Sequence, residues 1–125
     1  MSDLTRTDVI KLIAIATKPL NLRGVDLTGV DLSYLDLTGA NLTVATLQDA
    51  DLRTALLNGA DLRAANLTGA NLSMANLNVA NLTAANLTGA NLKHANLYKA
   101  NLTIAVLRKA NLQDADLTDV IGYNK

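Results

Sequence analysis

The sequence predicts an all-β solenoid preceded by a short helix, and three observations lead to this fold class. Leucine stands at every fifth position from Leu22 to Leu117, twenty times without interruption. Two positions before each leucine the residue is small or aliphatic, and it is alanine in every repeat from Ala40 to Ala115. Glutamate, a good helix former, is absent, and only 2% of the residues are aromatic. The interior is therefore expected to be narrow, regular and filled by leucine and alanine.

Residues 1–19 are predicted to form a capping helix. Thr5 and Asp8 are spaced as an N-terminal capping pair, and Pro19 ends the helix. An amphipathic helix of about three turns is marginal alone in water, so we expect its apolar stripe to pack on the first coil of the solenoid. The stripe consists of Val9, Leu12, Ile13 and Ala16.

Residues 20–119 hold the repeats, and their period excludes a long helix or a long strand. Leucines spaced by five would spiral around every face of a helix and would not stay on one face of a strand. A short extended piece such as Ala60-Asp61-Leu62 points its alanine and leucine inward and its aspartate outward. The next two residues must turn the chain, and glycine, which tolerates a positive φ, often stands at the second of them. A side followed by a corner, repeated, closes into a polygon that rises as a coil.

Runs of Ala-(Asp/Asn)-Leu-x-x, such as Ala65-Asn66-Leu67-Thr68-Gly69, resemble the pentapeptide-repeat family over residues 20–119. The resemblance implies a right-handed quadrilateral β-helix with four repeats to a coil, and hence about five coils. It also implies that the central leucine and the alanine two residues before it point into the core. The habit of the family favours a bacterial, in particular a cyanobacterial, source.

The two ends of the rod are expected to differ. The first coil carries large aliphatic residues where later coils carry alanine, which predicts a coil adapted to the end of the stack; these residues are Leu20, Val25, Val30 and Leu35. Residues 120–125 form a short tail with no comparable cap. We expect the apolar part of the tail to fold over the last coil or to contact another copy, since open stacked edges invite pairing. The protein is thus expected to be a monomer or a dimer through this end, and the contact residues are Val120, Ile121 and Tyr123.

With four repeats to a coil, residues twenty positions apart form columns along the rod. Glycine recurs at the last repeat position on two opposite faces, which predicts two kinds of corner. One mildly apolar column is a candidate interaction strip, and the bulky column from Tyr34 to His94 is an alternative, although corner geometry and solubility would account for both. The candidate strip consists of Val44, Ala64, Ala84 and Ile104.

Two further apolar residues are expected to be exposed. Leu56 and Val106 replace Asn or Asp at the outward middle position of their repeats.

No set of residues predicts catalysis, a cofactor or a metal. His94 is the single histidine, the chain has no cysteine, and no histidine–acid pair is placed to activate a serine. A metal site needs several converging ligands, and a nucleophilic serine needs an adjacent base. We therefore expect a non-enzymatic protein that acts by binding.

Three classes of binding or structural function are compared. A rigid protein-interaction or scaffold module with an unidentified protein partner is favoured. Family members that mimic DNA and bind DNA gyrase are strongly acidic and often carry loops, whereas this chain has zero net charge and uninterrupted repeats. An ice-binding face needs an unbroken threonine array, which Arg23 and Arg63 interrupt, and a purely structural solenoid is the last alternative.

The balanced charge also bears on partners and location. It favours neither direct nucleic-acid binding nor binding to a membrane. Because no secretory-signal pattern precedes the repeats, the cytoplasm is the expected location.

Overall fold

The computed structural model describes residues 2–123, so Met1 and residues 124–125 of the predicted tail lie outside the described part of the chain. One α-helix, α1 (Arg6–Ile15), precedes the repeats. The repeats contain no long strand among the described residues; they form isolated parallel bridges between residues twenty positions apart, from Asn21–Asn41 to Asn101–Ile121. Twenty residues are four pentapeptides, so each turn of the coil has four sides. No helix within residues 2–123 is long and apolar enough to cross a membrane.

Three backbone hydrogen bonds on each side join one coil to the next. The Leu62 N–H donates to the Asn81 carbonyl at 2.7 Å, and the Asn81 N–H donates back to the Ala60 carbonyl at 2.9 Å. At the corner, the Ala64 N–H donates to the Thr83 carbonyl at 2.9 Å. The same pattern recurs along the rod, so the buried backbone groups of the interior coils are paired.

The core is a stack of leucines and alanines. Every repeat leucine from Leu22 to Leu102 and every repeat alanine from Ala40 to Ala100 is buried. Large aliphatic residues of the first coil also pack against this core. Three of the four leucines in the last coil are only partly buried, because no further coil in the described residues covers them; they are Leu107, Leu112 and Leu117.

The middle residue of each side stabilises the turn that follows it. Oδ1 of Asn66 accepts from the Thr68 N–H at 3.0 Å. Oδ1 of Asn81 accepts from both the N–H and the hydroxyl of Thr83, at 3.1 and 2.6 Å. Most of these Asn and Asp residues in the interior coils are half-buried, so the expectation of a simply outward position is only partly correct.

All twenty corners share one backbone conformation. The last residue of every repeat from Gly24 to Asp119 has a φ between +50° and +71°, whether or not it is glycine. The prediction of two kinds of corner is therefore wrong, because the ladder between coils imposes the same turn on each side. β-Branched residues adopt this left-handed conformation too, at a cost of about 1–2 kcal/mol each; they are Val44, Thr54, Val79 and Ile104.

Helix α1 begins at a capping box. Oγ1 of Thr5 accepts from the Asp8 N–H at 3.2 Å, and Oδ2 of Asp8 accepts from the Thr5 N–H at 2.9 Å. Three residues of the expected stripe contact the core: Val9 is buried, and Leu12 and Ile13 are partly buried.

The stripe prediction is wrong for Ala16. The helix ends at Ile15, well before Pro19, and Ala16 has an extended backbone with φ −70° and ψ 132°. Its side chain is exposed. The chain leaves the helix early because residues 16–19 must lead into the first side of the coil.

Removing a core leucine tests this packing. Leu67→Ala should lower the free energy of unfolding by about 2–5 kcal/mol, since the coils above and below cannot collapse into the cavity. Leu112→Ala, in the partly open last coil, is the matched control and should cost less. Urea unfolding measures both variants, and equal losses would contradict the difference in burial.

Candidate interaction surfaces

The candidate strip is a continuous exposed column on one corner of the rod. Val44 and Ile104 are 46% and 75% exposed, and Ala64 and Ala84 between them are exposed as well. Backbone hydrogen bonds hold the members in register. The Val44 N–H donates to the carbonyl of Arg63, the residue before Ala64, at 3.0 Å, and Ala64 and Ala84 donate in the same way to the next coil at 2.9 Å. Four coils spaced by roughly 4.8 Å make a ridge of roughly 14 Å.

The polar groups beside the strip are already engaged. Arg63, next to Ala64, makes an ion pair with Asp61 at 2.7 Å. The Thr83 hydroxyl, next to Ala84, donates to Asn81. The strip therefore offers apolar contact and shape, without free groups suited to chemistry.

An exposed apolar residue extends the strip at its C-terminal end. Val106 is exposed, as the sequence predicts, and lies two residues beyond Ile104 on the adjoining side. Leu56 is also exposed, but it stands on the opposite side of the coil and does not join this surface. From the sequence both are expected as isolated exceptions, and by their register in the coil only Val106 lies on a side that adjoins the strip.

The alternative column, from Tyr34 to His94, is less uniform. Tyr34 and Met74 are exposed, but Thr54 and Asp114 interrupt the apolar character. Nε2 of His94 lies 3.9 Å from Oδ2 of Asp114 at the exposed surface. Residues 2–123 contain no group of three or more potential metal ligands.

The N-terminal edge of the first coil is closed on two sides by residues that the sequence did not single out. The Asp3 N–H donates to the Asp26 carbonyl at 2.7 Å, and Oδ2 of Asp3 accepts from the Asp26 N–H at 2.9 Å. On the next side, Nη1 of Arg6 donates to the carbonyls of Asp31 and Ser33, both at 3.0 Å. In interior coils the equivalent groups pair with the preceding coil. Local sequence carries no signal for these contacts, which join residues more than twenty positions apart.

The C-terminal tail continues the coil within the described residues. The Ile121 N–H donates to the Ala100 carbonyl at 2.9 Å, and its carbonyl accepts from the Leu102 N–H at 2.7 Å. Val120 and Tyr123 are partly buried against the core, whereas Ile121 is exposed. The tail thus adds part of a further side and packs Val120 and Tyr123 against the core, whereas a contact with another copy through Ile121 stays a prediction.

A family model described as pentapeptide repeats matches residues 21–59, 45–83 and 85–121. The chain belongs to the pentapeptide-repeat family. The resemblance expected from the sequence is confirmed, and the fold is the right-handed β-helical solenoid of its solved relatives. No curated protein matches the chain at a significant level.

Solved structures of other pentapeptide-repeat proteins are similar to this chain. A thylakoid-lumen protein from Arabidopsis thaliana is 39% identical, with a TM-score of 0.76 over 78% of this chain and 68% of that one. The protein Rfr23 from the cyanobacterium Cyanothece 51142 is 30% identical, with a TM-score of 0.46 over 95% of this chain and 100% of that one. QnrB1, a plasmid-mediated fluoroquinolone resistance protein, is 16% identical, with a TM-score of 0.49 over 80% of this chain and 70% of that one.

The aspartates of the repeat couple stability to pH. The hydroxyls of Thr28 and Thr38 donate to Asp26 and Asp36 and hold the pKa of each carboxyl below its ordinary 3.8. The Ser33 hydroxyl does the same for the pKa of Asp31, with a smaller contribution from the charge of Arg6. Because the folded-state pKa is the lower one, this stabilisation is present above pH 3.8 and is lost as the pH falls through the folded values.

Replacing two of these aspartates should weaken the acid dependence. In an Asp26→Asn/Asp36→Asn variant the amide oxygen still accepts from the following threonine, as Asn66 does from Thr68, but it does not titrate. The free energy of unfolding, measured from neutral pH to below pH 3.8, should fall less steeply in the variant than in the natural protein. Identical slopes would show that these carboxyls do not contribute.

Proposed function

We propose that this protein is a non-catalytic, rigid interaction module that binds a protein partner through the strip of Val44, Ala64, Ala84 and Ile104. The observation that carries the proposal is that two exposed apolar residues in the left-handed conformation stand at the two ends of one column, whereas Val79, which has the same conformation, is the single aliphatic residue of its column. Val44 and Ile104 are β-branched, exposed, and held at a φ of +50°. Neither solubility nor backbone preference accounts for these residue types at such corners, and strained positions concentrate at functional sites.

The size of the strip limits the kind of contact. A ridge of roughly 14 Å on one corner is small compared with stable interfaces, which bury about 800 Å² on each partner. The partner is therefore expected to present a shallow apolar groove, to extend over Val106, and to bind reversibly.

Substitution by asparagine separates binding from stability. Asparagine tolerates the left-handed conformation, so Val44→Asn/Ile104→Asn should raise the free energy of unfolding by about 1–2 kcal/mol at each site and abolish partner capture from a lysate of the source organism. Val79→Asn is the matched control, since Val79 is also exposed and has a φ of +54° on another corner. It should gain stability and keep the captured partner. Equal capture by both variants and the natural protein would overturn the assignment of the strip.

The charge distribution disfavours the DNA-mimic alternative. Between Leu62 and Gln113 the chain contains no acidic residue, but it contains five Arg or Lys residues. A mimic of the DNA backbone needs negative charge along its length, so contact through apolar residues is the better explanation. Unchanged gyrase supercoiling on addition of the protein is the expected result.

We also propose that the solenoid has five coils and that residues 2–19 cap it. Twenty repeats at four to a coil account for the number of coils. Support for the cap comes from the burial of Val9 and from the bonds that Asp3 and Arg6 make to the first coil.

Removing the Arg6 side chain tests the cap. Arg6→Met should lower the free energy of unfolding by about 1–2 kcal/mol, because two carbonyls lose a charged donor at a partly exposed site. Lys11→Met, at an exposed position of the same helix, is the control and should have little effect. A loss that is no larger than the control's would contradict the capping role.

The open C-terminal coil supports a further contact, between two copies of this chain. The partly exposed leucines there, with Val120, Ile121 and Tyr123, form its apolar surface. Sedimentation at increasing concentration tests this contact, and a constant monomer mass would exclude it. A cytoplasmic location is part of the proposal, and cell fractionation tests it, since one similar protein resides in the thylakoid lumen.

A further inference from the structure

We propose that the N-terminal edge at Asp36–Thr38 is a second binding site, which accepts an aspartate within an extended peptide of a partner protein. The site is a groove of about 300 Å³ between this edge and the segment that follows helix α1. It lies at the end of the rod and is distinct from the corner strip. The groove is lined mainly by Ile13, Ala16, Lys18, Leu20, Asp36 and Leu37.

Comparison with the next coil shows which hydrogen bonds the backbone at this edge is able to make. One coil further along the same side, the Leu56 N–H donates to the Leu35 carbonyl at 2.9 Å, and the Leu56 carbonyl accepts from the Leu37 N–H at 2.8 Å. Asp36 occupies the equivalent position in the first coil. Among residues 2–123 its N–H and its carbonyl have no partner, and the residue is exposed. Asp36 therefore presents one donor and one acceptor to an incoming chain.

The chain's own N-terminus shows what satisfies such an edge. Residues 26–29 and residues 36–39 have the same sequence, Asp-Leu-Thr-Gly. At the first of these, Asp3 supplies a backbone N–H to the Asp26 carbonyl and a carboxylate oxygen to the Asp26 N–H. A single aspartate thus pairs both groups at once.

The carboxylates of the edge do not prevent this pairing. Oδ1 of Asp26 accepts from the N–H and the hydroxyl of Thr28, at 2.9 and 2.6 Å, and Asp3 still binds. Oδ1 of Asp36 is engaged in the same way by Thr38, at 3.1 and 2.6 Å. In addition, Lys18 lines the groove and supplies a positive charge that favours an acidic ligand.

The adjoining segment does not fill the site. Pro19 reaches the corner at Gly39, where its ring lies 3.3 Å from the position that a Cβ would take. Proline has no N–H to donate, and the preceding residues line the groove without a backbone hydrogen bond to Asp36. An extended peptide that adds to this edge uses backbone hydrogen bonds for affinity and its aspartate for specificity.

The probe is acetyl-Ser-Asp-Leu-amide, which copies Ser2-Asp3-Leu4, added to the ¹⁵N-labelled full chain. Without peptide, the Asp36 amide should exchange rapidly with solvent, while the Asp26 amide is protected. With peptide, the Asp36 resonance should shift and its exchange should slow. Acetyl-Ser-Ala-Leu-amide lacks the carboxylate and should bind about tenfold more weakly or less, and Lys18→Gln should weaken binding of the acidic peptide about two- to fivefold.

Two phenylalanine variants locate the site. Ala16→Phe places a ring in the groove and should abolish the effect on Asp36, whereas Ala14→Phe, exposed on the helix and outside the groove, should retain it. An Asp36 amide that is already protected without peptide, or is unaffected by it, would overturn the proposal. Equal binding of the two peptides, or an equal effect of the two variants, would do so as well.

Discussion

The structure depends on the backbone ladder that joins each side of a coil to the same side of the next. Each repeat leucine of the interior donates its N–H to the following coil, and the middle residue of that coil donates back. These bonds hold stacked sides at one spacing, which brings leucine over leucine and alanine over alanine and leaves no room for larger groups. Stability is then close to a sum over neighbouring coils, as in other solenoids.

The ladder also explains why the corners tolerate so many residue types. A corner residue is bounded by two sides whose hydrogen bonds are already made, so its backbone adopts a positive φ even when its side chain disfavours it. The cost is borne locally, at residues such as Val79 and Ile104. Sequence variation is thus wider at the corners than in the core, although β-branched residues carry a cost there, which is why binding surfaces are sought on the corners and at the two ends.

Much of the fold was predictable from the sequence because its period is short and its core is uniform. The spacing from Leu22 to Leu117 excluded helix and strand, and the pair Thr5 and Asp8 marked the start of α1 correctly. Both signals are local.

The features that were missed depend on distant contacts. The common corner conformation is imposed by the ladder and not by glycine, and Ala16 leaves the helix to meet the first side. Asp3 and Arg6 act on residues far along the chain, so no local pattern identifies them. The strip was visible as a column once four repeats to a coil were assumed, but the strain that supports it was not.

The four large residues of the first coil also bear on how such a repetitive chain finds one register. Interior repeats are nearly interchangeable, so a coil displaced by one pentapeptide would still stack leucine on leucine. Moving Val30, or another of these four residues, into the stack would place a large side chain in a fully buried alanine position. Such overpacking would lower the stability by about 1–3 kcal/mol for each residue. The first coil therefore fixes the register of the coils that follow, and helix α1 packs against this coil.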